Sequence, residues 1–215
     1  MARLLVLGNK RYSSWSLRGF LALKFAGVEF EEQVVPLFET QTHATIQALA
    51  PGAPPKVPVL VEDGHSIWDS LSIMEFAAEN SLRGPLWPTD PHARARARSM
   101  VAEMHGGFIA LREHVPMNLS KCEAYQPLPE NVEQDVQRIL SIWEACRQTY
   151  SAEGPYLFGA LSLADAAFAP VVARLKSRSV PVSDVCRRYC DAVWQLPAFE
   201  EWRAAAEKEV WVIDQ

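Results

Sequence analysis

Hydrophobic and polar positions alternate between two regimes along this chain. Residues 2–7 are a short apolar run closed by Gly8-Asn9, the pattern of a buried strand. In the following segment Leu17, Leu21 and Phe25 fall on one side of a 3.6-residue repeat, which predicts a helix over 14–26. VEFEEQVVPL alternates in part and stops at Pro36, so it reads as a second strand, and TQTHATIQAL as a short helix. The prolines of APGAPPKVPVLVEDGHSIWDS exclude a helix, while VPVLV and HSIW flank Asp63-Gly64, a hairpin signal. SLSIMEFAAENSL returns to helical spacing. The order β-α-β-α-β-β-α describes an α/β unit.

RGPLWPTDP is rich in proline and marks a boundary. Beyond it every periodic segment is helical. Thr89 or Asp90 can cap the first helix, with Pro91 in its first turn. Behind them Ala93, Ala97, Met100, Val101, Met104, Phe108 and Leu111 keep one helical register. NVEQDVQRILSIWEACRQTYSA is a long helix, and SLADAAFAPVVARL opens on Ser162-x-x-Asp165, a capping-box variant. VSDVCRRYCDAVWQ and PAFEEWRAAAEKE complete an all-α unit. The expected division is residues 1–82, a linker over 83–90, and residues 91–215. Arg94 and Arg98 share a helix face, expected to be solvated.

Composition narrows the function more than the fold. The 215 residues carry a net charge of −5, so no general attraction to nucleic acid or an anionic membrane is expected. No apolar run approaches the ~18 residues of a bilayer span, and the N-terminus lacks a long apolar signal core, so a cytoplasmic protein is expected. Cys122, Cys146, Cys186 and Cys190 form no C-x-x-C pair, and are expected to be reduced and structural. No metal site is expected.

Candidate chemistry sits at strand–helix junctions. Ser13, Ser14 and Ser16 stand where the first strand hands over to the first helix. Either Ser13 or Ser14 only caps the helix, or one donates a hydrogen bond to an anion held by the free N–H groups and partial positive charge of the helix end. No Gly-x-Ser-x-Gly motif is present, which argues against an acyl-enzyme nucleophile. Pro58 in KVPVL suits the first position of an edge strand; were its preceding peptide cis, the Val57 backbone would be open to a ligand. Asp69-Ser70 in WDSLSI either caps the next helix or offers a carboxylate for an ammonium and a hydroxyl for a carboxylate, a receptor for an α-amino-acid head group.

SSWSLR leading into LALKFAGVEFEE, KVPVLVEDGHSIWDSLSIMEFAAE and SLADAAFAPVVARL together resemble the glutathione transferase superfamily over nearly the whole chain. The serine-type bacterial and zeta-like branch is the nearest pattern. Where that branch has Ser-Ser-Cys, this chain has Trp15 in third place; its substrate-binding arginine falls at Ser177, between Arg174 and Arg178. The resemblance implies a thioredoxin-like N-terminal domain, an all-α C-terminal domain, a homodimer, and glutathione as cosubstrate.

It also implies roles. Ser13 or Ser14 would donate to the glutathione sulfur, the register favouring Ser13, with Trp15 beside it. Val57, before Pro58, would pair with the cysteinyl backbone; Asp69 and Ser70 would hold the γ-glutamyl end; Lys56, His43 and Gln41 would reach the glycine carboxylate. The electrophile wall would come from Met104, His105, Phe108, Arg112 and Met117. The implied reaction is attack of the thiolate on a small hydrophobic electrophile. The alternatives are a glutathione-dependent isomerase of the maleylacetoacetate type, a peroxidase, or a non-catalytic binding protein on the same fold.

Overall fold

The computed structural model describes residues 3–213; Met1, Ala2, Asp214 and Gln215, which the expected first strand and domain ends include, lie outside the described residues. The N-terminal unit runs β1 (Arg3–Leu7), α1 (Ser14–Ala26), β2 (Glu31–Val34), α2 (Thr42–Leu49), β3 (Val59–Glu62), β4 (His65–Ile67) and α3 (Ser70–Glu79). Its sheet has the order β2-β1-β3-β4, with β1 parallel to β2 and antiparallel to β3, and β4 antiparallel to β3. Asp63 and Gly64 both take positive φ, 47° and 84°, the handedness that lets a two-residue turn follow the twist of β3 and β4. The thioredoxin-like architecture expected from the sequence is present.

The second unit is helical: α4 (Pro91–Gly106), α5 (Ile109–His114), α6 (Glu130–Tyr150), α7 (Leu163–Ser177), α8 (Asp184–Trp194) and α9 (Pro197–Glu207), with one short 3-10 turn after α6. Asp90, not Thr89, caps α4: its side chain accepts from the Ala93 N–H at 2.7 Å, and Pro91 opens the helix. Asp90→Ala is expected to cost about 1 kcal/mol of stability, read as a lower melting temperature with an unchanged helical spectrum. At α7 the expected box forms. Asp165 Oδ2 accepts from the Ser162 N–H at 2.8 Å and its hydroxyl at 2.9 Å, and Oδ1 accepts from the Leu157 N–H at 3.1 Å. Burial pushes the Asp165 carboxyl up to about 6 against the pull of those donors. Cys146, Cys186 and Cys190 are buried thiols, Cys122 an exposed one.

Two sequence expectations change. The helix expected to run from Ala93 through Leu111 breaks after Gly106, and Phe108 takes a left-handed conformation at φ 56°. The reason lies at Gly107: its N–H bonds Glu103 O at 2.8 Å, and a Cβ there would stand 2.7 Å from that same oxygen. The chain turns back against its own last helical turn, as only glycine permits. Arg94 and Arg98 are not a purely solvated pair. Arg94 donates to Pro88 O and Thr89 O, and Arg98 pairs with Glu75 of α3 at 3.1 Å, tying the linker and α3 to α4.

The two units share one core. A single apolar cluster extends from Leu5, Phe20 and Ile73 to Trp143, Phe168 and Trp202. α1 lies between α3 on one side and α7 on the other. The Leu17/Leu21/Phe25 stripe predicted one buried face; α7 buries the opposite face too, including Arg18. Continuous apolar burial of this kind opposes independent domain motion.

Candidate functional site

The turn before α1 is pinned from both units. Asn9 O accepts from the Tyr12 and Ser13 N–H groups at 3.1 and 2.8 Å. The Glu209 carboxylate, beyond α9, accepts from the Lys10 and Arg11 N–H groups at 2.6 and 3.0 Å. Trp202 Nε1 donates to Lys10 O at 2.8 Å. This leaves little freedom in where α1 begins.

The adjacent hydroxyls do different things. Ser13 is the N-cap: its Oγ accepts from the Ser16 N–H at 3.3 Å and donates to Ser16 Oγ at 2.8 Å, which in turn accepts from the Gly8 N–H at 2.9 Å. Ser14, the first helical residue, points its Oγ at the helical unit, where Arg174 Nη2 donates to it at 3.2 Å. No hydrogen bond among the described residues uses the Ser14 hydroxyl proton.

Arginines crowd behind these serines. Arg18 is buried; Nε donates to Ala167 O at 2.8 Å, while Nη1 and Nη2 have no hydrogen-bond partner. Its guanidinium lies 4.5 Å from the Trp15 ring centroid, and that of Arg112 lies 5.2 Å from it. The indole face therefore takes the place of a counter-charge. Burial, then Arg174 and Arg112, pull the Arg18 pKa down to about 9; burial and Arg112 pull Arg174 down to about 10. Both stay cationic at neutral pH, and with the positive end of α1 they make the serine junction a favourable place for an anion.

Two adjoining cavities open there, of about 380 and 620 Å³, and Trp15, Lys56 and Val57 line both. With these three residues in common they adjoin as one groove. The smaller half adds Pro54, Pro58, Trp68, Asp69, Ser70 and His105; the larger adds Tyr12, Ser13, Ser14, Leu37, Phe38 and His43 among others. Another cavity, of about 620 Å³ around Arg3, Lys24 and Arg83, shares no residue with this groove. The Val57–Pro58 peptide is cis, as is Trp68–Asp69. None of the backbone hydrogen bonds among the described residues uses the Val57 N–H or C=O. Gly19 of α1 brings the helix against Pro58, where a Cβ would stand 3.1 Å from the ring.

At the far end of the groove, Asp69 caps α3. Oδ1 accepts from the Leu71 N–H at 2.9 Å, and Oδ2 lies 3.1 Å from His105 Nε2 of α4. The Asp69 side chain remains half exposed, at 52%. Ser70 is fully buried and its Oγ has no partner, an orphaned donor at the cavity wall. His105 also packs edge-on against Trp15, with ring centroids 5.1 Å apart.

The groove thus gathers Ser13, Ser14, Trp15, His43, Lys56, Val57, Pro58, Asp69, Ser70 and His105. Gln41 is exposed at the start of α2 and lines neither half. Met104, Phe108 and Met117, expected on the wall, are buried in the core, because the face of α4 that carries Met104 packs inward and the Gly107 break turns Phe108 with it. Arg112 stands on the Trp15 face rather than on the groove surface. Sequence reasoning missed Arg18 as a site cation and Arg174 as the partner of Ser14. The available signal was a lone arginine inside an apolar helical run, in SLRGFLAL and again in APVVARL. No group of His, Cys, Asp or Glu side chains suited to a metal ion occurs among the described residues.

Comparison with known proteins adds family evidence to this geometry. Residues 12–80 match the model of the glutathione S-transferase N-terminal domain, and residues 92–205 that of the C-terminal domain. A maleylacetoacetate isomerase of Mus musculus is 32% identical over 176 residues, covering 79% of this chain and 76% of that protein. A probable maleylacetoacetate isomerase of Caenorhabditis elegans is 37% identical over 112 residues, 52% of this chain and 50% of that protein, so the match spans only half of that relative. Among solved structures, a glutathione transferase homologue from Burkholderia GL BGR1 with bound glutathione superposes with a TM-score of 0.72 at 23% identity, covering 97% of this chain and 100% of that one. The holo structure of a bacterial zeta-class maleyl pyruvate isomerase does so with a TM-score of 0.72 at 23% identity, covering 96% and 99%. At these identities the structural matches carry the fold alone.

Proposed function

Because the chain belongs to the glutathione S-transferase family, we propose that it binds glutathione along the groove lined by Trp15, Lys56 and Val57 and presents the sulfur, as thiolate, to an electrophile. The observation that carries this reading is Ser14: a hydroxyl with an unengaged proton, at the positive end of α1, beside buried guanidinium groups. Val57 offers an unpaired N–H and C=O to the peptide backbone of the tripeptide. Asp69 offers charge to its ammonium, and the orphaned Ser70 hydroxyl suits its α-carboxylate. Lys56, exposed between the two halves, suits the other carboxylate.

Ser14 rather than Ser13 is assigned to the sulfur because Ser13 already donates to Ser16 and caps the helix. The chemistry follows from charge. A free thiol has a pKa of ~8.5, so a few per cent is ionised at neutral pH. A donor that prefers thiolate over thiol raises that fraction. The thiolate lone pair then forms the C–S bond, and the electron pair released goes to a leaving group or to a conjugated carbonyl that is later protonated.

A second reading is supported by the relatives named maleylacetoacetate isomerase: the thiolate adds to a conjugated double bond, the bond rotates, and the thiolate leaves, so glutathione is regenerated. Two assays on the purified protein separate the readings. Net loss of free thiol with a chromogenic aryl halide marks a transferase; cis–trans conversion of maleylacetoacetate with thiol unconsumed marks an isomerase. Failure to be retained on immobilised glutathione overturns both.

A further inference from the structure

Ser14 is held from the other domain. Arg174 belongs to α7, 160 residues further along the chain, and its Nη2 donates to Ser14 Oγ at 3.2 Å. Its Nη1 donates to the backbone oxygens of Arg112, at 3.3 Å, and Val115. The guanidinium is thereby held by the backbone at the end of α5, and its Nη2 reaches the hydroxyl. Arg174 is buried, and the ion pairs among the described residues do not include it. It lines neither half of the groove, so contact with a ligand is not what its position provides.

What it does to Ser14 follows from hydrogen-bond chemistry. A hydroxyl has one proton and two lone pairs. When a cation occupies one lone pair, the proton must turn elsewhere, and withdrawal of electron density from the oxygen makes that proton a stronger donor. We propose that Arg174 is a positioning residue of the sulfur site: it grips the Ser14 oxygen from the helical domain, so that the hydroxyl proton faces the groove and donates more strongly to the glutathione sulfur. The inference rests on the assignment of Ser14 to the sulfur, and it makes thiol activation depend on how α7 sits against α1. Arg18 and Arg112 keep the surroundings positive, but neither touches the hydroxyl.

The test is the pH titration of thiolate absorbance for glutathione bound to the full-length protein, in wild type, Ser14→Ala, Arg174→Gln and the double variant. Arg174→Gln is expected to raise the bound thiol pKa by about half a unit, which is about threefold less thiolate below the pKa. Affinity for glutathione at low pH, where the thiol is protonated, should stay unchanged. In the Ser14→Ala background the Arg174→Gln change should add nothing, since Arg174 acts through the hydroxyl. If Arg174→Gln does not fold, Arg174→Lys is read in the same way, with a smaller shift of the same sign. A pKa that moves with Ser14→Ala but not with either Arg174 variant overturns this inference and leaves the Ser14 assignment standing. Equal shifts with and without the Ser14 hydroxyl also overturn it, because Arg174 would then be acting as a bare charge. No shift with Ser14→Ala removes the assignment itself, and the inference with it.

Discussion

Ser14→Ala is expected to raise the pKa of bound glutathione by ~1–2 units and to lower turnover at neutral pH by about 10- to 100-fold. A hydrogen bond to a charged group contributes ~1.5–3 kcal/mol, and each pKa unit corresponds to ~1.4 kcal/mol. The sign follows from preference: the hydroxyl stabilises thiolate over thiol, so its removal favours the protonated form. The deficit should therefore shrink as pH rises past the pKa of free glutathione, where the thiol ionises unaided. Ser13→Ala should act differently. It removes the N-cap acceptor of the Ser16 N–H and should cost about 1 kcal/mol of stability with a smaller change in the thiol pKa. Thiolate absorbance against pH, with a thermal melt of each variant, distinguishes the effects. A thiol pKa that follows Ser13→Ala and ignores Ser14→Ala would return the sulfur to Ser13.

Asp69→Ala should weaken glutathione binding by about 10- to 150-fold, the equivalent of ~1.5–3 kcal/mol for one charged hydrogen bond, while kcat at saturation changes little. The carboxylate would meet the γ-glutamyl ammonium, away from the reacting sulfur, so its loss removes binding common to ground and transition states. Asp69 has a second duty as N-cap of α3, accepting from the Leu71 N–H, so Ala also costs about 1 kcal/mol of stability. Asp69→Asn separates the duties: it keeps an oxygen for Leu71 and loses the charge for the ammonium and for His105. Calorimetry should then show weak binding to a protein of nearly normal stability. Unaltered affinity in both variants would remove Asp69 from the binding site.

The parts of the site that could be read in advance are local. A serine cap at Ser13 or Ser14, Asp69-Ser70 at the start of α3, and Pro58 at the head of β3 are each set by a few consecutive residues, and the structure places them on one groove. The wall could not be read this way. Met104 and Met117 were as plausible there as His105, since a helical register says which residues share a face and not which face meets a cavity. Packing of α4 against α7 turned Met104 inward, and Gly107 ended the register before Phe108.

The sequence by itself therefore determined the order of elements apart from the α4–α5 break, the two units, most helix starts and the motifs that carry the family resemblance, because turn chemistry, capping and hydrophobic period act over a handful of residues. Only the tertiary structure decided which of two neighbouring hydroxyls caps α1 and which is bonded from the other unit. The deciding contact is Arg174 with Ser14, between residues 160 positions apart. A buried arginine among alanines and valines looks the same in the chain whether it meets a carbonyl, a π-face or a serine. Its partner is chosen by the docking of α7 on α1, through the apolar core that both domains share.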